Sequence, residues 1–191
     1  RMVRAAILQA PVSDREAATL EGGEAERAEL LRMSQQMITE GRGQTLLPQL
    51  HYGFVPMSAS RYASLVGRGG PDDMFSSDFT DDELASILWH MGTRGQREGR
   101  AAGPSRRAVE PVVDHPGLRT LFVHSAKDEY VPSTVDVGEL SQRFVRAAGG
   151  AENGAAALVI PQANHNLATP APSAADAFVS AVGELLSDVA P

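Results

Sequence analysis

The sequence predicts an α/β protein in which helices cover a sheet of parallel strands. Short apolar runs alternate with longer segments whose apolar residues recur at helical spacing, and two helix starts carry capping boxes. This alternation favours parallel strands joined by right-handed crossovers, because each helix returns the chain to the start of the next strand. The predicted order is strand, helix, helical insertion, strand, helix, strand and helix.

The first predicted strand is the apolar run at residues 3–9, which is typical of a core strand buried on both faces of a parallel sheet. A helix follows, because Ser13 and Glu16 form a capping box that satisfies free N–H groups at a helix start. Gly41 is predicted to end this helix.

Residues 46–117 are predicted to be a lid or insertion between two core segments, 1–45 and 118–191. The insertion contains a short predicted helix at residues 60–66, and a capping box at residues 80–83 starts another helix. The glycine- and arginine-rich part that follows is predicted to be a mobile loop, because it is too polar to bury a face.

The second core segment alternates between strand and helix. Strands are predicted at residues 118–124 and 155–160, with a helix at 136–148 between them and a last helix from Ser173. Three parallel strands leave an open apolar edge and are too few to form a domain with these helices. We therefore expect earlier strands of the fold on another polypeptide or in a preceding segment.

The composition excludes several classes of function. The 191 residues include 17 Lys and Arg against 24 Asp and Glu, a net charge of −7, so no basic field is present to hold nucleic acid or anionic lipid. No apolar run reaches the roughly 20 residues that cross a bilayer. With no cysteine, the chain has no disulfide, thiolate zinc site or cysteine nucleophile. We expect no nucleic-acid or membrane partner, and a cytoplasmic location.

The loops after the second and third strands contain an acid and a histidine. The carboxyl ends of parallel strands meet at one edge of a sheet, and Asp128 and His165 follow two such ends, 37 residues apart. They match the acid and base of a Ser, Asp, His triad in the chain order of α/β hydrolases. His165 is predicted to be the general base and then acid, oriented by Asp128. A turn residue and a loop histidine are the alternatives for each alone.

The nucleophile of such a triad has no candidate. The sequence contains no Gly-x-Ser-x-Gly elbow, and the nearest run, at residues 103–107, lacks the final glycine. In this chain order the elbow precedes the strand that begins at Val3. We therefore expect an N-terminal polypeptide segment to carry the nucleophile, and we expect this chain alone to be inactive.

Four sequence runs occur in the same order as in a known family. They are AILQAPVSDREA at 6–17, FSSD at 75–78, DDEL at 81–84 and DEYVP at 128–132. The chain thus resembles the C-terminal portion of the fungal α/β-hydrolase-fold family that includes siderophore esterases. The resemblance implies part of an α/β-hydrolase fold with a helical lid, and serine-dependent hydrolysis of a small-molecule ester, a hydroxamate siderophore of the fusarinine type. It carries the family's acid over to Asp128 and its histidine to His165.

Aromatic residues of the insertion are candidates for the substrate pocket: Tyr52, Phe54, Phe75 and Trp89. Packing of the lid is the alternative for each of them. Gln9 ends the first strand, and structural positioning is the better interpretation for it. No histidine pair or acidic run has the spacing of a metal site, so we expect no metal and no cofactor.

Other classes of function stay open. A non-catalytic protein of this fold would bind a small ligand or a partner, although the retained acid and histidine favour catalysis. A lactonase or an acyltransferase would use the same acid and base, which by themselves do not distinguish these reactions.

Overall fold

A computed structural model describes residues 3–47, 56–88, 118–168 and 173–188. The elements in these ranges follow the predicted alternation of strand and helix. They are β1 (Ala5–Gln9), α1 (Asp14–Thr39), α2 (Ala59–Val66), α3 (Asp81–Leu88), β2 (Arg119–Ser125), α4 (Val137–Ala147), a 3₁₀ turn (Ala151–Asn153), β3 (Ala155–Ile160) and α5 (Ser173–Ser187). The predicted α/β fold class is confirmed.

The strands of the described residues form one parallel sheet in the order β1, β2, β3. The central strand β2 is almost wholly buried, and Phe122 and Val123 have no exposed surface. In the register between β2 and β3, Ser125 lies opposite Ile160. The two strands therefore end together, and the loops that follow them leave the same edge of the sheet.

Strand β1 is less buried than its sequence predicts. It pairs with β2 along one edge, and the described residues include no strand along its other edge. Ile7 is 37% exposed, and Val3 before the strand is also exposed. The prediction of a strand buried on both faces is wrong for these residues, because an apolar run predicts a strand but does not identify its neighbours.

The described residues divide into two compact units. The first comprises the described parts of Arg1–Pro11, Ser77–Glu129 and Ser133–Pro191, and it contains the sheet with α3, α4 and α5. Residues of β2 and β3 pack with Ala174 and Leu185 of α5 in an apolar core. On the outer side of α5, Val179 and Leu186 are exposed, so only part of its apolar sequence is buried.

Arg143 of α4 holds the start of α3 within this first unit. Its guanidinium donates to the Asp81 carboxylate at 2.7 Å, to the Ser77 carbonyl at 2.8 Å and to the Phe79 carbonyl. The predicted capping box of α3 forms as well, since the Glu83 amide donates to Thr80 Oγ1 at 3.2 Å and the Thr80 amide donates to the Glu83 carboxylate at 2.8 Å.

The second unit comprises the described parts of Val12–Ser76 and Tyr130–Pro132, and its core lies between α1 and α2. Met37, Tyr62 and Val66 are buried in this core. Ser13 caps α1 as predicted by accepting a hydrogen bond from the Glu16 amide at 3.2 Å. The helix is interrupted at Gly23, whose φ of 76° lies in the left-handed region that glycine tolerates.

The predicted boundaries of the lid stay predictions. Much of that segment, including the predicted mobile loop and the run at residues 103–107, lies outside the described residues. None of the described helices is both long enough and apolar enough to cross a membrane.

Candidate functional site

Asp128 and His165 are in contact at the carboxyl ends of β2 and β3. The carboxylate oxygens Oδ2 and Oδ1 of Asp128 lie 3.0 and 3.2 Å from Nδ1 of His165. The Asp128 side chain is 1% exposed and the His165 side chain 27% exposed. A buried carboxylate thus faces an imidazole that solvent reaches. The sequence predicted that the two residues lie at one edge of the sheet, and it did not predict this difference in burial.

Backbone pairing beyond the strand ends holds the two loops together. The Ala126 amide donates to the carbonyl of Ile160, and the Lys127 amide donates to that of Ala163, both at 3.0 Å. The Asp128 amide closes a turn on the carbonyl of Ser125 at 3.2 Å. The turn directs the acid toward the neighbouring loop, because it bends the chain directly after β2.

Two side chains hold the main chain of His165. Glu129 accepts a hydrogen bond from the His165 amide at 3.0 Å, and Gln9 Nε2 donates to the His165 carbonyl at 2.6 Å. The hydrogen bond from the His165 amide lowers the pKa of Glu129. Sequence reasoning favoured a structural part for Gln9, without a link to His165, and did not identify Glu129. The one sequence signal for Glu129 was its place beside Asp128 in the DEYVP run.

The contact with Asp128 assigns the tautomer of His165. Because the carboxylate is an acceptor, a neutral imidazole donates its proton from Nδ1 to Asp128, and Nε2 then carries the lone pair. A histidine in this state takes up a proton at Nε2 and is stabilised as imidazolium by the carboxylate. The pair is therefore able to act as a general base and then as a general acid.

His124 lies near the same strand end but is not part of this pair. Its Nδ1 lies 2.9 Å from Ser141 Oγ, whose own proton is donated to the Val137 carbonyl at 2.7 Å, so Nδ1 is the donor. The other ring nitrogen, Nε2, is buried and has no partner among the described residues. Burial lowers the pKa of His124 to about 4. His124 is therefore a neutral core residue at neutral pH.

The structure describes only one of the four residues that the sequence predicts to bind substrate. Tyr52, Phe54 and Trp89 lie outside the described residues, whereas Phe75 is half-buried in the second unit. Their role in binding substrate stays a prediction. In the ranges that the structure describes, no group of His, Asp and Glu residues is arranged to hold a metal ion.

The parallel sheet and its helices, together with similarity to a solved hydrolase, define an α/β-hydrolase-fold protein. That structure is a siderophore hydrolase, EstB, from Aspergillus fumigatus, which has a TM-score of 0.68 and 28% sequence identity, and the match covers 100% of this chain and 60% of that one. The chain belongs to the family described as "Protein of unknown function (DUF1749)", whose profile matches residues 1–187.

Two curated proteins are similar to the chain. A UPF0613 protein of Schizosaccharomyces pombe is 30% identical, and the fusarinine C esterase sidJ of Aspergillus fumigatus is 31% identical. Each alignment covers 85% of this chain and 48% of the relative. The chain therefore spans about half the length of these relatives. The suspected relation to fungal siderophore esterases is confirmed.

Proposed function

We propose that this chain supplies the acid and the base of a serine-dependent ester hydrolase that acts on hydroxamate siderophore esters. The observation that carries the proposal is the contact between Asp128 and His165, with 3.0 Å between Oδ2 and Nδ1. The pair lies at the strand ends where open parallel sheets assemble their sites. Similarity to the fusarinine C esterase and to the siderophore hydrolase supports the substrate class.

In the proposed reaction, His165 removes the proton of a serine hydroxyl as its oxygen attacks the ester carbonyl. The new C–O bond gives a tetrahedral intermediate, and Asp128 stabilises the imidazolium. The ester C–O bond then breaks, and His165 donates its proton to the departing alcohol. Water, activated by the same imidazole, hydrolyses the acyl-enzyme to release the acid and restore the serine.

The proposed serine belongs to an N-terminal polypeptide segment that acts as partner to this chain. Three observations support this part of the proposal. The sequence has no Gly-x-Ser-x-Gly elbow. Among the described residues no strand pairs with the outer edge of β1, and Ile7 of this strand is partly exposed, as expected where a further strand joins the sheet. The exposed side of α5, with Val179 and Leu186, is a second apolar surface in the same unit.

Labelling of the natively purified protein with a fluorophosphonate probe tests this proposal. The probe bonds covalently to activated serines, and intact-mass spectrometry before and after labelling identifies the polypeptide that gains its mass. We expect the mass on a companion segment and not on this chain. His165→Ala should abolish labelling, whereas Glu152→Gln, at an exposed position in the 3₁₀ turn, should leave it unchanged.

Product analysis with a fusarinine-type ester tests the substrate class. Mass spectrometry should detect the free acid and alcohol with the wild-type assembly and neither with His165→Ala. If no companion is found and nothing is labelled, the hydrolase proposal is wrong and a non-catalytic binding protein takes its place. Labelling with turnover of simple esters but not of the siderophore ester would reject the substrate class alone.

A further inference from the structure

Two side chains outside the acid and base contact His165 through its main chain. Gln9 stands at the end of β1 and Glu129 follows Asp128 after β2, so they reach the histidine from separate strands of the sheet. One accepts from the amide of His165 and the other donates to its carbonyl. Both peptide groups of the histidine are thus bonded to side chains.

Such bonds matter here because His165 lies in a loop. Its neighbours in that loop have main-chain partners, since Ala163 accepts from the Lys127 amide and the Leu167 amide donates to the carbonyl of Asn164 at 3.0 Å. Leu167, two residues after the histidine, has a φ of 57°, in the left-handed region that residues other than glycine rarely adopt. Only two rotatable bonds join the ring of His165 to its backbone. The position of the backbone therefore limits the directions in which Nδ1 is able to point.

We infer that Gln9 and Glu129 are positioning residues that hold the main chain of His165 so that Nδ1 faces Asp128. Their role in turnover rests on the proposed function, while their effect on the ring does not. Each acts through the backbone of the histidine. The bond to Glu129 is charge-assisted, since a carboxylate accepts from a backbone N–H.

Substitutions that separate hydrogen bonding from charge and length test this inference. Glu129→Met and Glu129→Gln both remove the charge and keep the length of the chain, but only the glutamine amide still accepts from the His165 amide. Gln9→Met removes the donor to the His165 carbonyl without adding charge. Gln162→Met is the matched control, because Gln162 is an exposed residue of the same loop.

The readout is the tautomer of neutral His165, measured in the purified protein by long-range ¹H–¹⁵N NMR. We expect Nδ1–H in the wild type, in Glu129→Gln and in Gln162→Met. Glu129→Met and Gln9→Met should shift the population toward Nε2–H while the circular dichroism spectrum and cooperative thermal unfolding are retained. Wild-type tautomer populations in both methionine variants would overturn the inference, as would an equal shift in Glu129→Gln and Glu129→Met.

Kinetics of the assembled hydrolase provide a second readout. In the two methionine variants we expect kcat to fall on the order of tenfold to a hundredfold with KM unchanged, as for other displacements of a catalytic group. A wild-type kcat in both would overturn the role in turnover. The tautomer does not depend on ester hydrolysis, so a protein without esterase activity would refute the proposed function and leave the positioning test intact.

Discussion

The side chains of Asp128 and His165 differ in their exposure to solvent. The carboxylate is enclosed and the imidazole is partly open to solvent, so the acid has a fixed environment while the base is able to meet a substrate. A buried carboxylate is costly unless hydrogen bonds compensate it, and His165 Nδ1 supplies one of them. The ability of Asp128 to accept a hydrogen bond from His165 is therefore expected to affect catalysis more than the volume of its side chain.

Asp128→Asn tests this difference at nearly constant volume. An amide that turns its NH₂ group toward His165 favours the tautomer with the proton on Nε2, which is unable to take the serine proton. We expect kcat for ester hydrolysis to fall by about 10⁴-fold, the size seen for this change in a serine protease triad. The exposed Asp188→Asn serves as the control. A kcat for Asp128→Asn within tenfold of the wild type would contradict the assignment.

His124 is a second histidine whose environment has a measurable effect. Its pKa falls from about 6.5 in the unfolded chain to about 4 in the folded protein, because burial disfavours the imidazolium. Between these values the unfolded state binds more protons, so the stability contributed by neutral His124 is complete above pH 6.5 and is lost as pH falls toward 4. The loss amounts to about 3 kcal/mol over this range.

His124→Phe should remove this part of the pH dependence. Phenylalanine suits the site, since the His124 ring already packs against Phe144 with 5.5 Å between ring centroids. The free energy of unfolding, measured by urea denaturation from pH 7 to pH 4, should decline less steeply in the variant than in the wild type. Parallel pH profiles for the two proteins would show that His124 is not the group responsible.

At the scale of elements, a buried polar cluster joins the start of α1 to the segment before α3. Asp73 accepts hydrogen bonds from Arg15 Nε at 3.1 Å, from the Gly69 amide at 3.0 Å and from Ser76 Oγ. Ser76 in turn lies 2.6 Å from the hydroxyl of Ser13, the N-cap residue of α1. Removal of the carboxylate would break several bonds in a site that solvent does not reach.

Neighbouring aspartates permit a matched comparison of this cluster. Asp73 and Asp72 each pair with an arginine, but their side chains are 1% and 42% exposed. Asp73→Ala should lower the free energy of unfolding by about 3–5 kcal/mol, because it breaks a buried pair. Asp72→Ala should cost no more than about 1 kcal/mol. Equal losses in chemical denaturation would contradict the importance of burial.

Local signals in the sequence predicted the elements well. The capping bonds of Ser13 and Thr80 span three residues, so the sequence alone indicates both helix starts. The contact of Asp128 with His165 could be predicted from the sequence, because each residue follows the end of a predicted strand. The bonds from Gln9 and Glu129 to His165 were not, because they join distant positions without any period. The sequence overestimated the burial of β1. The exposure of Ile7 is set by the elements that pack beside it, and the pattern of apolar residues does not identify these elements.

For the whole molecule, the proposed division of the triad gives a direct expectation. This 191-residue chain, purified without a companion segment, should hydrolyse a fusarinine-type ester no faster than its His165→Ala variant, because no serine elbow is present in its sequence. Product formation followed by mass spectrometry measures both. Addition of the N-terminal segment should restore turnover to the wild-type chain only. Turnover by the isolated chain would refute the division.

The alignment of β2 with β3 makes loop length a condition for activity. Ser125 lies opposite Ile160, and the acid and the histidine stand three and five residues beyond these positions. Each residue advances a strand by about 3.3 Å, comparable to the entire separation of the reacting pair. An insertion between Ile160 and His165 should therefore dissociate the pair, whereas the turn before β3 should accept insertions. We expect related chains to differ in the length of the connection before β3 and to keep the spacing between Ile160 and His165.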